Sequence, residues 1–182
     1  MKRIFSKIAP GWDHDLHVHS NWSEDIKEVG PNASEYLEIA QKYKIHVGFL
    51  EHFELLHEKD KDRKLNVNTI DAYLEEIDEL KNNYDNITTG LEVDYYKEFE
   101  GRIAEFIDDY KNSFDFLAGS MHEVELYYPV TQPIKLKEQI NKMGSFDKVV
   151  NTYFEKVEQM IASGLFSAIV HPDVIYRFCP KE

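Results

Sequence analysis

The sequence has one cysteine, no long apolar run and no basic stretch, and each absence excludes a class of protein. Because Cys179 is the only cysteine among 182 residues, intramolecular disulfides and thiolate metal clusters are excluded. No apolar run is long enough to span a membrane, and residues 1–7 lack the apolar segment and cleavage site of a signal peptide. We therefore expect a soluble, cytoplasmic protein with no membrane contact.

The charge balance is strongly acidic, with 34 Asp and Glu residues against 21 Lys and Arg and a net charge of −13. Such a surface repels the phosphate backbone of nucleic acids, so no nucleic acid is expected as a partner. The charge does not argue against a small phosphorylated substrate, because bound metal cations would reverse the local field.

Strand patterns and helix patterns alternate along the chain, which is predicted to form a single domain over residues 1–182. The predicted strands lie near residues 15–19, 45–50, 87–93, 114–119 and 167–170. Apolar residues at helical spacing predict helices that begin near Ala33 after Pro31-Asn32, at Ile70 after a cap at Asn68 or Thr69, near Phe99, and at Phe146 with an end at Gly164. Residues 120–145 are expected to be irregular. Strands separated by such helices predict an α/β fold with a parallel sheet.

The end of the first predicted strand carries two histidines, His17 and His19. Residues two apart in a strand point to the same face, so both imidazoles would leave the strand side by side. Two neutral imidazoles on one face suit a transition metal. Asp15 belongs to the same face, where its carboxylate could hydrogen-bond a ligating ring and fix its tautomer.

The other predicted strands also end in histidine or a carboxylate. These ends are Glu51-His52, Glu92 followed by Asp94, His122, and His171-Pro172-Asp173. Polar groups at the carboxyl ends of all five strands favour a (β/α) barrel or partial barrel, since barrel enzymes build their sites there. A mixed histidine and carboxylate set without cysteine favours Zn, Mn or Fe. A glutamate among several histidines can bridge two metal ions.

In their order and spacing these segments resemble the motifs of the polymerase and histidinol phosphatase (PHP) domain, most closely the histidinol-phosphate phosphatase branch. The matching segments are Asp15-Leu-His17-Val-His19-Ser, Ser23-Glu-Asp25, Phe49-Leu-Glu51-His52, Gly90-Leu-Glu92-Val-Asp94, Gly119-Ser120-Met-His122 and His171-Pro172-Asp173. The resemblance implies a distorted seven-stranded (β/α) barrel that holds two or three divalent metal ions at its carboxyl-end face. It implies that His17 and His19 bind one ion, that Glu92 bridges to a second ion completed by His52 and His122, and that Asp25 and His171 serve a third.

The sequence departs from this family after the His-Pro-Asp segment. Family members continue through two more strands, the last of which carries an Asp-x-His or Asp-x-Asn motif that this sequence does not contain. We therefore expect a PHP barrel shortened to about five β/α units, with the C-terminal part of the family fold absent. Such a sheet has two exposed edges, which a homo-oligomer could cover.

The function that the resemblance implies is metal-dependent hydrolysis of a small phosphate monoester, with L-histidinol phosphate as the first candidate. A metal-activated hydroxide would attack phosphorus, and the predicted catalytic residues are His17, His19, Glu92 and His122. The alternative is a non-catalytic metal-binding or interaction module. A related amidohydrolase is disfavoured, because such enzymes usually carry a bridging lysine at the fourth strand, where this sequence has His122.

Several neighbouring polar residues receive structural or supporting interpretations. Glu51 is expected to point away from the site, Asp15 and Asp173 to support ligands, and Asp94 either to support a ligand or to be solvated. Glu123 and Glu125 are interpreted as solvated charge, and no chemistry is expected of His14, His46 or His57. The basic residues of the segment 59–64 and Arg177 could reach a substrate phosphate.

Overall fold

The computed structural model describes residues 7–23, 26, 30–55 and 65–179, and these residues form both strands and helices. The strands are β1 (Asp13–Val18), β2 (Ile45–Phe53), β3 (Ile87–Asp94), β4 (Phe116–Ser120), β5 (Glu123–Glu125), β6 (Tyr128–Pro129) and β7 (Ala168–Ile169). The α-helices are α1 (Ala33–Tyr43), α2 (Ile70–Lys81), α3 (Glu100–Tyr110), α4 (Pro133–Met143) and α5 (Phe146–Ser163). Short 3₁₀ segments lie at Lys97–Phe99 and Val174–Phe178.

Five of the strands form one parallel sheet in the order β1-β2-β3-β4-β7, curved into half a barrel. Each neighbouring pair in that order is parallel. Strands that follow one another in sequence and lie side by side in parallel need a crossover, which the intervening helices supply. The predicted α/β fold of about five β/α units is confirmed.

Helix α1 begins at the residue that the sequence predicts, and helix α5 both begins and ends as predicted. The Asn32 side chain accepts a hydrogen bond from the backbone N–H of Glu35, and the Glu35 carboxylate accepts one from the backbone N–H of Asn32. This capping box satisfies two of the free donors at a helix start. Helix α5 ends at Gly164, which has a φ of 65°, a conformation that costs glycine little.

One expectation for local structure is wrong, and the predicted cap at Thr69 has the predicted position without the side-chain hydrogen bond. Helix α4 and the antiparallel pair β5–β6 occupy the stretch that was expected to be irregular. Pro133 stands at the first turn of α4, where its missing N–H is no loss, so it starts the helix rather than breaking it. Before α2, the Thr69 side chain makes no cap hydrogen bond to the helix. Its hydroxyl accepts one from the Asn66 N–H instead.

The central strands are buried on both faces, and alternation decides which residues face the inside of the half-barrel. Toward the helices, β2, β3 and β4 present the large core residues Phe49, Leu91 and Leu117. The opposite face carries a second apolar cluster of Leu50, Phe116 and Ala118, with Val170 against it. His52 lies two residues beyond Leu50 and is in register with Glu92, which pairs with Ala118. The inner face therefore ends in polar groups above an apolar floor.

The longest helix of the described part of the chain is α5, with 18 residues. No helix in the described residues is both long and apolar enough to cross a membrane.

Candidate metal centre

The carboxyl ends of the five parallel strands bring the predicted ligands to one place. His17 lies in β1 with His19 just after it, His52 is in β2, Glu92 in β3, His122 follows β4 and His171 follows β7. Parallel strands expose their carboxyl ends at one edge of the sheet, which explains why residues more than 150 positions apart in sequence can meet.

The Glu92 carboxylate is the centre of this cluster, and its side chain is fully buried. Its Oε2 lies 2.8 Å from Nε2 of His17, 3.7 Å from Nε2 of His19 and 3.7 Å from Nδ1 of His52. Its Oε1 lies 2.8 Å from Nε2 of His171 and 3.2 Å from Nε2 of His122. Five imidazole rings therefore surround one carboxylate.

These contacts stabilise the ionised form of Glu92. Burial alone would raise the pKa of Glu92, but the hydrogen bonds from His122, His17 and His171 outweigh burial and hold it well below its ordinary value. Hydrogen bonds to a charged carboxylate favour that charge strongly. The carboxylate is thus available as an acceptor or a metal ligand on both of its oxygens.

The donor set and its spacing fit divalent transition-metal ions. Two groups of three residues could each hold a metal ion, because the three potential ligand atoms within a group lie within 4.8 Å of one another. One group is His17, His19 and Glu92, and the other is His52, Glu92 and His122. Two ligands about 2.1 Å from one tetrahedral ion are about 3.4 Å apart, close to the spacings around Glu92. Glu92 belongs to both groups, as a bridging carboxylate would.

Asp94 orients one of the candidate ligands. Its Oδ1 lies 2.6 Å from Nδ1 of His122 and also accepts the hydroxyl of Ser120. Burial lowers the pKa of His122, but Asp94 and Glu92 outweigh it and raise the value to about 11. Burial raises the pKa of Asp94, and His122 and Ser120 together more than reverse that. Asp94 therefore contacts a candidate ligand and is not a solvated end of the strand.

Glu51 points to the helix-facing side of the sheet, as alternation predicts, and is buried there. It accepts hydrogen bonds from Ser20 and Ser23, and burial raises its pKa while these bonds limit the rise. Glu51 therefore lies outside both groups of candidate metal ligands.

Asp15 does not orient a ligand ring, contrary to expectation. Its Oδ1 accepts a hydrogen bond from the backbone N–H of His17 at 3.2 Å. The physical reason is a β-bulge: three steps from Asp15 to Val18 on β1 match two steps on β2, so the simple two-residue alternation fails there. Asp173 is exposed at the start of the last 3₁₀ segment. Asp25, His57 and the basic segment 59–64 lie outside the described residues.

A cavity of about 600 Å³ opens above the histidines, a volume suited to a small molecule. Its lining includes Arg177, Glu54, Glu123, Tyr127 and Gln132 as well as the histidines. Glu123, interpreted from the sequence as solvated charge, lines this wall and accepts the Tyr127 N–H at 2.7 Å.

Sequence analysis missed several of the residues that line this cavity. Glu54 follows His52 by two positions, so the period of a strand could have placed both on one face. Tyr127 belongs to the hairpin of β5 and β6, whose alternating segment Glu123-Val-Glu-Leu was a strand signal. No local signal indicates that this hairpin folds over the metal centre.

The sequence is similar to a known protein family and to a characterised relative. A family model described as PHP domain matches residues 15–178. A histidinol-phosphatase from Bacillus subtilis is 32% identical over 112 residues, which cover 58% of this chain and 42% of that protein. The chain thus spans less than half the length of this curated relative.

Two solved structures share the fold. A protein assigned as a histidinol phosphatase from Listeria monocytogenes superposes with a TM-score of 0.73 at 18% identity, covering 91% of this chain and 69% of that one. Histidinol phosphate phosphatase from Lactococcus lactis, solved with Zn, L-histidinol and phosphate, gives a TM-score of 0.62 at 22% identity over 93% of this chain and 61% of that one. At identities of 18% and 22%, the similarity to these two structures shows the fold alone.

Proposed function

The chain belongs to the PHP domain family, and we propose that it is a metal-dependent phosphoesterase that hydrolyses a small phosphate monoester. The observation that carries the proposal is the fully buried Glu92 carboxylate with five imidazoles around it. L-Histidinol phosphate is the first substrate to test, because a curated relative is a histidinol-phosphatase and a solved relative holds L-histidinol and phosphate.

The proposed ligands are the two groups that share Glu92, with His171 and Asp25 assigned to a third ion. Zn, Mn and Fe suit this set of imidazoles and carboxylates. When bound, such ions lower the pKa of a coordinated water toward neutrality and offset the charge of the phosphoryl group. Asp94 keeps the His122 ring in place for this task.

Charged residues in the cavity walls would bind the phosphate and the cationic group of the substrate. Arg177 contributes a guanidinium, which pairs with phosphate oxygens through two parallel hydrogen bonds. Glu54 and Glu123 line the same cavity, so a substrate that carries a cationic group beside its phosphate fits the charges of the walls. L-Histidinol phosphate, with an amine and an imidazole, is such a molecule.

The test uses the 182-residue chain and two matched variants. Phosphate release from L-histidinol phosphate and from p-nitrophenyl phosphate is measured with added Mn²⁺ or Zn²⁺, alongside elemental analysis of bound metal. Glu92→Gln is expected to lower kcat/KM about a thousandfold or more. Both ions depend on this carboxylate, and each would stabilise the transition state by several kcal/mol.

The control is Glu125→Gln, which makes the same change at a residue that pairs with Lys142 on the surface and should leave the rate unaltered. Tight metal binding with no phosphate release from either compound would overturn the proposal. It would leave a metal-binding module of the PHP fold as the function.

A further inference from the structure

Two serines beside the metal centre share one buried carboxylate that is outside the ligand set. Ser20 and Ser23 lie in the turn after β1, both at most 1% exposed, and Glu51 is fully buried below them. The Glu51 carboxylate accepts the Ser20 N–H at 2.9 and 3.1 Å and the Ser20 hydroxyl at 2.6 Å. It also accepts the Ser23 hydroxyl at 2.5 Å. With these donors around it, Glu51 acts as an acceptor.

Of the two serines, Ser23 also contacts a candidate metal ligand. Its Oγ lies 3.2 Å from Nδ1 of His19 and accepts the backbone N–H of His52 at 3.0 Å. A hydroxyl has one hydrogen, and that hydrogen is donated to Glu51, so the Oγ can only accept from its other partners. The hydrogen between Ser23 and His19 must therefore be carried by Nδ1 of the imidazole.

We propose that Ser23 and Glu51 are positioning residues that hold His19 in the tautomer with hydrogen on Nδ1 and a lone pair on Nε2. Nε2 is the atom that faces Glu92, at 3.7 Å from Oε2. Only a nitrogen without hydrogen can bind a metal ion, and a partner at the other ring nitrogen fixes which one is free. The inference rests on the proposed function in assigning a metal ion to His17, His19 and Glu92.

The same carboxylate provides a matched control. Ser20→Ala and Ser23→Ala each remove one hydroxyl from Glu51, but the Ser20 hydroxyl makes no hydrogen bond to His19 among the described contacts. The affinity for Zn²⁺ is measured on the full chain by competition with a chelator. Ser23→Ala is expected to weaken Zn²⁺ binding about 10- to 100-fold, the range for loss of a residue that orients a ligand. Ser20→Ala should change it much less, and Ser23→Thr, which keeps the hydroxyl, should restore it.

A spectroscopic measurement separates positioning from mere stability. Nitrogen-15 NMR of the metal-free protein should show His19 as a single Nδ1–H tautomer, which Ser23→Ala converts to a mixture and Ser20→Ala does not. Equal losses of Zn²⁺ affinity in both alanine variants, or a His19 ring with its hydrogen on Nε2, would overturn the inference. Neither readout requires turnover, so an inactive chain would refute the proposed function without touching this result.

Discussion

At the scale of single residues, the burial of Glu92 determines what the centre can hold. An isolated carboxylate in the interior costs several kcal/mol, and the molecule must compensate it with partners. Here the partners are imidazoles on four other strand ends, and two of them, His19 and His122, contact Ser23 and Asp94 through their second nitrogens. The surrounding hydrogen bonds thus orient rings whose other nitrogens face one carboxylate.

His46 is a buried histidine far from this chemistry, and it makes stability depend on pH. It is 1% exposed, its Nε2 has no hydrogen-bond partner in the described residues, and burial lowers its pKa below 6.5 despite the nearby charge of Asp115. The folded state therefore binds a proton less readily than the unfolded chain. The stability that the folded state gains by keeping His46 neutral is fully present above pH 6.5, and it is lost as the pH falls below that value.

His46→Leu is expected to reduce the loss of unfolding free energy between pH 7 and pH 5, because the variant has no buried imidazole to protonate. Urea unfolding of the metal-free protein at a series of pH values measures the slope of the free energy of unfolding against pH. The comparison variant is His14→Leu. His14 is the register partner of His46 on β1 but is exposed, and its charge is a lesser cause of the lowered His46 pKa, so this variant should change the pH dependence much less than His46→Leu does. An unchanged slope in His46→Leu would contradict the prediction.

At the scale of helices and strands, periodicity predicted most of the fold and local exceptions account for the errors. The strands β2 and β3 and the helices α1 and α5 follow from their apolar patterns and caps, because each element buries a continuous face. The bulge in β1 could not be foreseen, since it depends on pairing with β2. The same holds for the placement of the β5–β6 hairpin over the cavity, which tertiary contacts decide.

The apolar floor beneath the candidate metal centre depends on Gly90, a strand position that lacks a side chain. A methyl group at Gly90 would lie 2.6 Å from the Phe116 carbonyl oxygen and 3.1 Å from Cδ1 of Leu50. Gly90→Ala is therefore expected to lower the free energy of unfolding by about 1–3 kcal/mol, the usual cost of overpacking. It should also displace Glu92, two residues along β3, and weaken Zn²⁺ binding.

Gly101→Ala is the matched control for this change. Outside its own helix backbone and chain neighbours, no atom of the described residues lies within 4 Å of a methyl group at Gly101 in α3, and alanine favours a helix by up to about 1 kcal/mol over glycine. Thermal or urea unfolding should show opposite signs for the two variants. If Gly90→Ala were as stable as the parent chain, the close packing of this floor would be refuted.

At the scale of the whole molecule, the residue types of the candidate ligands were predictable but their mutual distances were not. Sequence motifs indicated His17, His19, His52, Glu92, His122 and His171, and the structure brings them around one carboxylate. Their spacing depends on sheet curvature and register, which no local pattern specifies. The edge strands of the described sheet are β1 and β7, and a second copy that covers them stays a prediction.

Because folding alone brings these ligands together, metal ions should stabilise the whole half-barrel. An ion that binds the folded chain and not the unfolded one adds about 2.7 kcal/mol at a free concentration of 100 times Kd. For a chain of this length, that corresponds to a rise in Tm of about 5–10 °C. Scanning calorimetry of the chelator-treated protein, before and after addition of Zn²⁺, measures the shift. Glu92→Gln should abolish most of it, since that carboxylate belongs to both groups of ligands. An equal rise in Tm for the variant would mean that Zn²⁺ binds elsewhere on this acidic surface.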